Sequence, residues 1–178
     1  MLDAKYRWNM GERPQQASMA VSTDGSSVVI RPRIDPVARP FHTLTDADWD
    51  AAWEQPMQSL ITDLQAAFDG GARRIVVVVA TTGMSGGAQY AHSAATSEAA
   101  RVLVKSAARQ WGARGVTVNA VALAPSAMLD SPEVAGPTSI APAALDHADP
   151  LALIEFLCSE ASGDVTGQTF VVDGGVWM

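Results

Sequence analysis

Hydroxyl and imidazole side chains are concentrated between residues 81 and 97. They include Thr81, Thr82, Tyr90, His92, Ser93 and Ser97. A tyrosine or histidine in such a stretch could transfer a proton, and a serine beside a histidine could act as a nucleophile. His92 and Ser93 are neighbours on a predicted helix, however, so their side chains do not face each other. We therefore expect no serine–histidine pair.

Metal and thiol chemistry find little support in the sequence. No group of His, Cys, Asp and Glu has the spacing of metal ligands, and His42 and His147 stand alone. Cys158 is the single cysteine, which excludes an intramolecular disulfide. It ends the apolar run Leu151–Cys158, a position typical of a buried small residue rather than a nucleophile.

Composition limits the class of protein. The 178 residues are 48% hydrophobic and 17% charged, which predicts one globular domain. The net charge of −7 argues against a nucleic-acid partner, because phosphates would be repelled. The longest apolar run, Ile75–Ala80, is far too short to span a membrane. We expect a soluble, cytoplasmic protein without a membrane or nucleic-acid partner.

The elements that must position these side chains alternate between strands and helices. Thr45 has the spacing of a helix N-cap, and Pro56 should kink or split the helix that follows. The predicted strands are 28–30, 74–80, 116–122 and 169–172, and the predicted helices are 45–69, 89–112 and 149–159. Residues 1–27 are read as irregular and 123–147 as a long loop. This order predicts an α/β fold, a three-layer sandwich around a parallel sheet.

The helix predicted for residues 89–112 has two distinct faces. Its core face is predicted to comprise Ala95, Ala99, Val102, Leu103, Ala107 and Trp111. Arg101, Lys105 and Arg109 form a basic row on the other side. We expect this row to be a solvated or subunit-facing set of ion pairs, with a phosphate site as the alternative.

Three motifs resemble the second half of short-chain dehydrogenases/reductases. They are the helix opening Leu44-Thr-Asp-Ala-Asp-Trp-Asp50, the strand Gly115-Val-Thr-Val-Asn-Ala-Val121, and Thr166-Gly-Gln-Thr-Phe-Val-Val-Asp-Gly-Gly175. The resemblance covers about residues 28–178 and implies a partial, truncated Rossmann-like sheet. It makes 1–178 one truncated domain, in which 1–27 is an irregular segment before the family's C-terminal half.

The resemblance also implies where the family's Asn-Ser-Tyr-Lys tetrad would stand. Counting from Asn119 and from Arg74 places its members on Pro56, Ala80, Ser93 and Ser97, none of which carries the required group. Using Tyr90 as the acid/base instead would need an insertion in the helix, and no lysine stands four residues on. We therefore expect no catalytic residues in this chain.

The same comparison implies that no dinucleotide site is formed. The family's glycine-rich phosphate turn is absent before Val28, Leu123-Ala124 replaces the family's Pro-Gly, and the threonine that would meet the nicotinamide aligns near Met128. We expect no bound cofactor. A sheet lacking its first strands would also expose an edge and apolar surface for a partner to cover.

The resemblance places subunit contacts on the two long helices and the C-terminal tail. The interface candidates are Trp49, Trp53, Ala95, Ala99, Arg101, Lys105, Trp111 and Trp177. The hypothesis is a non-catalytic structural or regulatory subunit that pairs with an active NAD(P)-dependent member, acting on an acyl-CoA or steroid-like substrate, or with itself. Two alternatives stay open: an oxidoreductase with residual or altered activity at Thr81, Thr82, Tyr90 or His92, and a ligand-binding module that uses the old substrate cleft.

Overall fold

A computed structural model of the protein describes residues 18–136 and 149–176. Five strands form one sheet in the order β1-β2-β3-β4-β5. The strands are β1 (Ser18–Val21), β2 (Ser27–Arg31), β3 (Arg74–Ala80), β4 (Thr117–Leu123) and β5 (Thr169–Val172). The last four are parallel, and β1 alone runs antiparallel to its neighbour β2.

Six α-helices accompany the sheet in the described residues. They are α1 (Asp46–Trp49), α2 (Gln55–Asp69), α3 (Thr82–Ser85), α4 (Ala91–Trp111), α5 (Pro125–Met128) and α6 (Leu151–Cys158). Short 3-10 turns lie at Phe41–Thr43, Gly112–Arg114, Pro132–Ala135 and Glu160–Ser162. The predicted strands and long helices are confirmed with small shifts in their ends. Part of the predicted 123–147 loop is helical, and residues 137–148 lie outside the described residues.

Alternating side chains of the central strands enter two separate cores. In β3, Ile75, Val77 and Val79 join the core under α2 and α4. Val76 and Val78 join the opposite core with α6. Both faces of the sheet are therefore covered, and the predicted three-layer α/β sandwich is confirmed.

Pro56 shapes the helix that packs against α4. Thr45 caps α1 in a capping box with Asp48, and a π-helical turn over Asp50–Glu54 joins α1 to α2. Proline has no N–H for the carbonyl four residues earlier and its ring crowds that carbonyl, so the regular ladder cannot pass position 56. The predicted interruption is confirmed as a π-helical turn within a continuous helical run.

The sheet edge differs from the sequence-based expectation. β1 and β2 form a hairpin whose register pairs Ser18 with Arg31 and Val21 with Val28. The turn places Gly25 at φ +73°, a conformation that favours glycine. Part of the segment 1–27, which was predicted to be irregular, thus forms β1, and β1 rather than β2 is the outer strand on this side of the described sheet.

The phase of α4 also corrects the sequence analysis. Its buried residues are His92, Ser93, Thr96, Ser97, Ala100, Val104, Ala107 and Ala108. Val102, placed in the core by the sequence pattern, is 50% exposed. Serine and threonine occupy the buried face beside β3, so apolarity alone misplaces this helix by about one residue.

Candidate functional site

The candidate site lies at the carboxyl ends of β2, β3 and β4, the usual place for ligands in open α/β sheets. Two regions adjoin there. One is a packed cluster in which the amino-terminal half of α4 meets residues 32–40, which we call the proline loop. The other is an open cleft around α3, α5 and the turn Pro132–Ala135.

Ser93 belongs to the packed cluster. Its side chain is fully buried, and its hydroxyl donates a hydrogen bond to the main-chain carbonyl of Asp35 in the proline loop. The same loop is tied to its surroundings by the Arg39 N–H to the Gln89 carbonyl at 2.7 Å and the Asp130 N–H to the Pro36 carbonyl at 2.9 Å. The space in front of Ser93 is therefore filled by protein.

Ser97 and Ala80 meet inside the protein. The Ala80 N–H donates to the Ser97 hydroxyl at 3.4 Å, and both residues are about 1% exposed. Helix α3 approaches closely here, since a Cβ added to Gly83 would lie 2.8 Å from the Ser97 Cβ. A long side chain at position 97 would have to displace this contact.

Pro56, the fourth position predicted for the tetrad, is connected to α4 through the main chain. In a regular helix an N–H at position 56 would bond to the Ala52 carbonyl. In this protein that carbonyl accepts a hydrogen bond from the buried Thr96 hydroxyl, with Oγ1 and O 2.5 Å apart. The structure brings Ala80, Ser93 and Ser97 close to one another. Pro56 lies on α2, the helix that packs beside α4.

Tyr90 is fully buried at the start of α4. Its hydroxyl accepts a hydrogen bond from the Ser131 N–H at 3.1 Å and lies 3.3 Å from the Ser131 carbonyl oxygen, to which it donates. The phenol hydroxyl thus both donates and accepts a hydrogen bond, and both bonds hold the loop after α5. As positioned, Tyr90 is a packing residue.

His92 is buried against the proline loop. Its Nε2 lies 3.2 Å from the Val37 carbonyl and 3.4 Å from the Arg39 guanidinium, and its Nδ1 has no partner within the described residues. The Val37 carbonyl can only accept and the Arg39 guanidinium can only donate, so Nε2 can bond to one of the two, and the shorter contact favours a protonated Nε2 that donates to Val37. Burial lowers the pKa of His92, while Asp35 opposes this shift. A neutral, donor-type imidazole follows from this arrangement.

The open cleft has a volume of about 610 Å³ and lies beside the packed cluster. Its described lining is Thr81, Thr82, Ser85, Gly86, Gly87, Ala88, Ala124, Pro125, Ser126, Pro132, Glu133, Ala135, Gly136 and Val176. Thr82 is 1% exposed, and its Oγ1 has no hydrogen-bond partner in the part of the chain that the structure describes. Buried hydroxyls are normally bonded, so this group is available to a ligand.

The charge of the cleft is set by one residue. Glu133 is its sole ionisable side chain among the described lining residues, and no Lys or Arg is included there. The cleft therefore suits an uncharged or cationic group better than a phosphate. Sequence reasoning identified Thr81 and Thr82 but missed Ser85, Ser126 and Glu133, which only the fold brings together.

The interface candidates occupy different environments. Trp49, Trp53, Ala95 and Ala99 are half-buried along α1, the π-helical turn and α4. Lys105 is exposed, and Arg101 pairs with Glu98 at 2.7 Å rather than projecting freely. Trp111 stacks on Phe68 with ring centroids 4.5 Å apart, and Trp177 lies outside the described residues.

Other chemistry receives no support. Burial raises the pKa of the Cys158 thiol to about 12, helped by nearby Glu155, so the thiolate nucleophile is disfavoured. Across residues 18–136 and 149–176, no group of three or more His, Cys, Asp or Glu could hold a metal ion. In the same ranges no helix is long and apolar enough to cross a membrane.

The parallel sheet and the motifs identify the class of protein. The profile of a family described as enoyl-(acyl carrier protein) reductase matches residues 27–177. The chain belongs to this family of short-chain dehydrogenases/reductases. The solved structure of levodione reductase has the same fold, with a TM-score of 0.66 and 19% identity over 84% of this chain and 66% of that one.

Two curated relatives are similar in sequence. The peroxisomal 2,4-dienoyl-CoA reductase of Danio rerio is 32% identical over 114 residues, which are 58% of this chain and 38% of that protein. The 3-oxoacyl-(acyl-carrier-protein) reductase of Staphylococcus aureus is 29% identical over 146 residues, 76% of this chain and 59% of its own length. The chain thus spans about two fifths to three fifths of these relatives.

Proposed function

We propose that the chain is a non-catalytic member of the family that serves as a structural or regulatory subunit beside an active NAD(P)-dependent member. One observation carries this proposal: the hydroxyls of Ser93 and Ser97 are buried and bonded to the main chain. Neither can donate a proton to a substrate in the cleft. Among the described residues, the phenol near this cluster is that of Tyr90, which is held by Ser131.

The subunit contact that we propose is formed by the outer faces of α2 and α4. Ile61 on α2 is 41% exposed and Val102 on α4 is 50% exposed. Ala95 and Ala99 are half-buried, and their small side chains permit another helix to approach α4 closely. An active partner acting on acyl thioesters fits the relatives, which are named for acyl groups on coenzyme A or acyl carrier protein. In other forms of this proposal, the active partner acts on a steroid-like substrate, or the chain pairs with a second copy of itself.

The direct test is whether the chain binds a cofactor or a partner. Isothermal calorimetry of the purified protein with NADH and NADPH should show no binding, and micromolar affinity for either would contradict the proposal. Purification from its native source should recover a stoichiometric complex with an active dehydrogenase. A stable monomer at all stages would argue against a subunit role.

A pair of matched variants tests the surface. Val102→Lys on α4 should reduce recovery of the complex, because it places a charge in the proposed contact. Phe156→Lys on α6 is the control, since Phe156 is 42% exposed but lies on the other side of the sheet. Equal losses in both variants would exclude the α2–α4 face as the specific contact.

A second candidate function is a ligand-binding module, favoured by the unpartnered Thr82 hydroxyl in the cleft. Thermal-shift measurements with butyryl-CoA, a neutral steroid and a primary amine with an apolar body would separate the ligand classes. Glu133 and the lack of Lys and Arg among the described lining residues favour the amine. Binding that is equal in wild type and Thr82→Val would remove Thr82 from the site.

A further inference from the structure

Three arginines meet at the amino end of the sheet, opposite the cleft. Arg74 begins β3 and Arg73 precedes it, while Arg114 ends the turn before β4. All three surround Gly115: a Cβ on this glycine would lie 2.8 Å from Arg73 Nη2, and Arg74 Nη1 donates to its carbonyl at 3.4 Å. Gly115 has φ +73°. We call Arg73, Arg74 and Arg114 the arginine cluster.

The cluster carries charge that the described residues do not neutralise. Among the described residues, ion pairs join Arg39 to Asp35 and Asp48, and Arg101 to Glu98. None of these pairs includes an arginine of the cluster. Arg74 donates instead to main-chain carbonyls of Arg73, Gly115 and Ser159. Three adjacent guanidinium groups without a carboxylate repel one another.

The surrounding sequence concentrates this charge further. Residues 99–129 contain four cations and no Asp or Glu, in a chain whose net charge is −7. The carboxyl ends of α2 and α4 lie here, and their dipoles favour cations and offset part of the repulsion. That interaction uses the charge of the guanidinium but leaves its N–H groups available. Arg73 and Arg114 are exposed.

An aromatic pair holds part of the cluster in place. The Arg114 guanidinium lies over the Phe68 ring, 4.5 Å from its centroid, and Phe68 stacks on Trp111 with an interplanar angle of 18°. Cation–π contact restricts the arginine before any partner arrives, which lowers the entropy cost of binding. Arginine and tryptophan are also the residues enriched in interface hot spots.

We propose that the arginine cluster binds an acidic segment of a partner protein, with carboxylates on Arg73 and Arg114 and an apolar side chain against Phe68 and Trp111. Guanidinium pairs well with carboxylate through two parallel hydrogen bonds. A protein segment fits better than nucleic acid or an anionic membrane, because it can place an apolar side chain between its carboxylates, where Phe68 and Trp111 adjoin Arg114. This surface is distinct from the outer faces of α2 and α4.

Fluorescence anisotropy with a labelled peptide repeating Glu-Glu-Leu-Asp tests the proposal on the full chain. Arg73→Glu and Arg114→Glu should each weaken binding at least about tenfold. Arg33→Glu is the control, since Arg33 is exposed beyond β2 and its reversal changes the net charge equally. We expect the control to weaken binding less than about twofold at 0.15 M salt, where screening acts over about 8 Å.

A conservative variant separates charge from geometry. Arg114→Lys keeps the charge but loses the planar fork, so its affinity should fall between wild type and Arg114→Glu. Urea unfolding of each variant establishes that the fold is intact. No saturable binding, or equal loss in Arg33→Glu, would overturn the proposal. So would tighter binding of wild type to phosphatidylserine vesicles or duplex DNA than to the peptide.

Discussion

The packed cluster and the open cleft lie side by side at the same end of the sheet and have opposite character. In the cluster, Ser93 and Ser97 are buried and bonded to main-chain groups. In the cleft, Thr82 is as well buried, yet its hydroxyl lacks a partner among the described residues. The positions at which the resemblance places the family's tyrosine and lysine are part of the packing, and a cavity of about 610 Å³ lies beside them.

This difference teaches that buried hydroxyls on neighbouring elements can either be bonded into the packing or be left without a partner beside a cleft. Small hydroxyl residues on α4 allow the proline loop to pack against the helix, because nothing long projects from positions 93 and 97. The cleft is lined by other elements, α3, α5 and the turn Pro132–Ala135, of which α3 packs closely on Ser97 through Gly83. The cluster and the cleft are thus adjoining regions that differ in how their buried hydroxyls are used.

The largest expected effect comes from restoring the family residue in the packed cluster. Ser93→Tyr should destabilise the protein by about 3 kcal/mol or more, because the fully buried site has no room for a phenol. It should give no reductase activity. Ser93→Ala, the control, removes one hydrogen bond and should cost about 1–2 kcal/mol. Urea unfolding measures both, and a stable Ser93→Tyr protein would show that the cluster is not closed.

The link between α4 and the helix containing Pro56 gives the next effect. Thr96→Val should lower the free energy of unfolding by about 1–2 kcal/mol, since the Ala52 carbonyl loses its buried donor. Thr62→Val is the matched control, because its exposed hydroxyl makes only a local bond to the Gln58 carbonyl. That control should stay within about 0.5 kcal/mol of wild type. Equal losses would remove any special role for Thr96.

A substitution in the cleft should change the free energy of unfolding in the opposite direction. Thr82→Val should stabilise the free protein by about 1 kcal/mol, because it removes a buried hydroxyl that has no partner among the described residues. Ser162→Ala should instead destabilise by about 1 kcal/mol, since that buried hydroxyl contacts the Leu157 and Ser159 carbonyls. Thermal unfolding of both variants checks the contrast. A destabilised Thr82→Val protein would mean that the hydroxyl is satisfied after all.

The smallest effect at neutral pH concerns His92, which faces Asp35, Arg39 and Asp48. Its folded pKa is lowered by burial, so the unfolded chain binds the proton first as the pH falls below about 6.5. Stability from this group is present above that pH and is lost as the pH falls toward the folded pKa. His92→Gln should flatten the stability profile between about pH 6.5 and 5. His42→Gln should leave the profile unchanged, and a flat wild-type profile would contradict the prediction.

Strong periodic patterns made the strands and the long helices predictable. The run Arg74–Ala80 is β-branched and apolar throughout, which favours a strand buried on both faces. The start at Thr45 and the break at Pro56 were also predictable, because capping and the missing proline N–H are local effects. The phase of α4 was not predictable, since its buried face carries Ser93, Thr96 and Ser97, whose burial depends on distant acceptors.

The sequence by itself determined the family and the parallel α/β sheet, and it predicted that the tetrad groups are absent at Pro56, Ala80, Ser93 and Ser97. These follow from residue identity and local spacing. Only the tertiary structure decided that β1 covers the edge of β2, that the Asp35 carbonyl meets Ser93, and that Arg73 and Arg114 converge on Gly115. Each of these joins residues far apart in the chain, and such contacts depend on how the whole sheet and its loops pack.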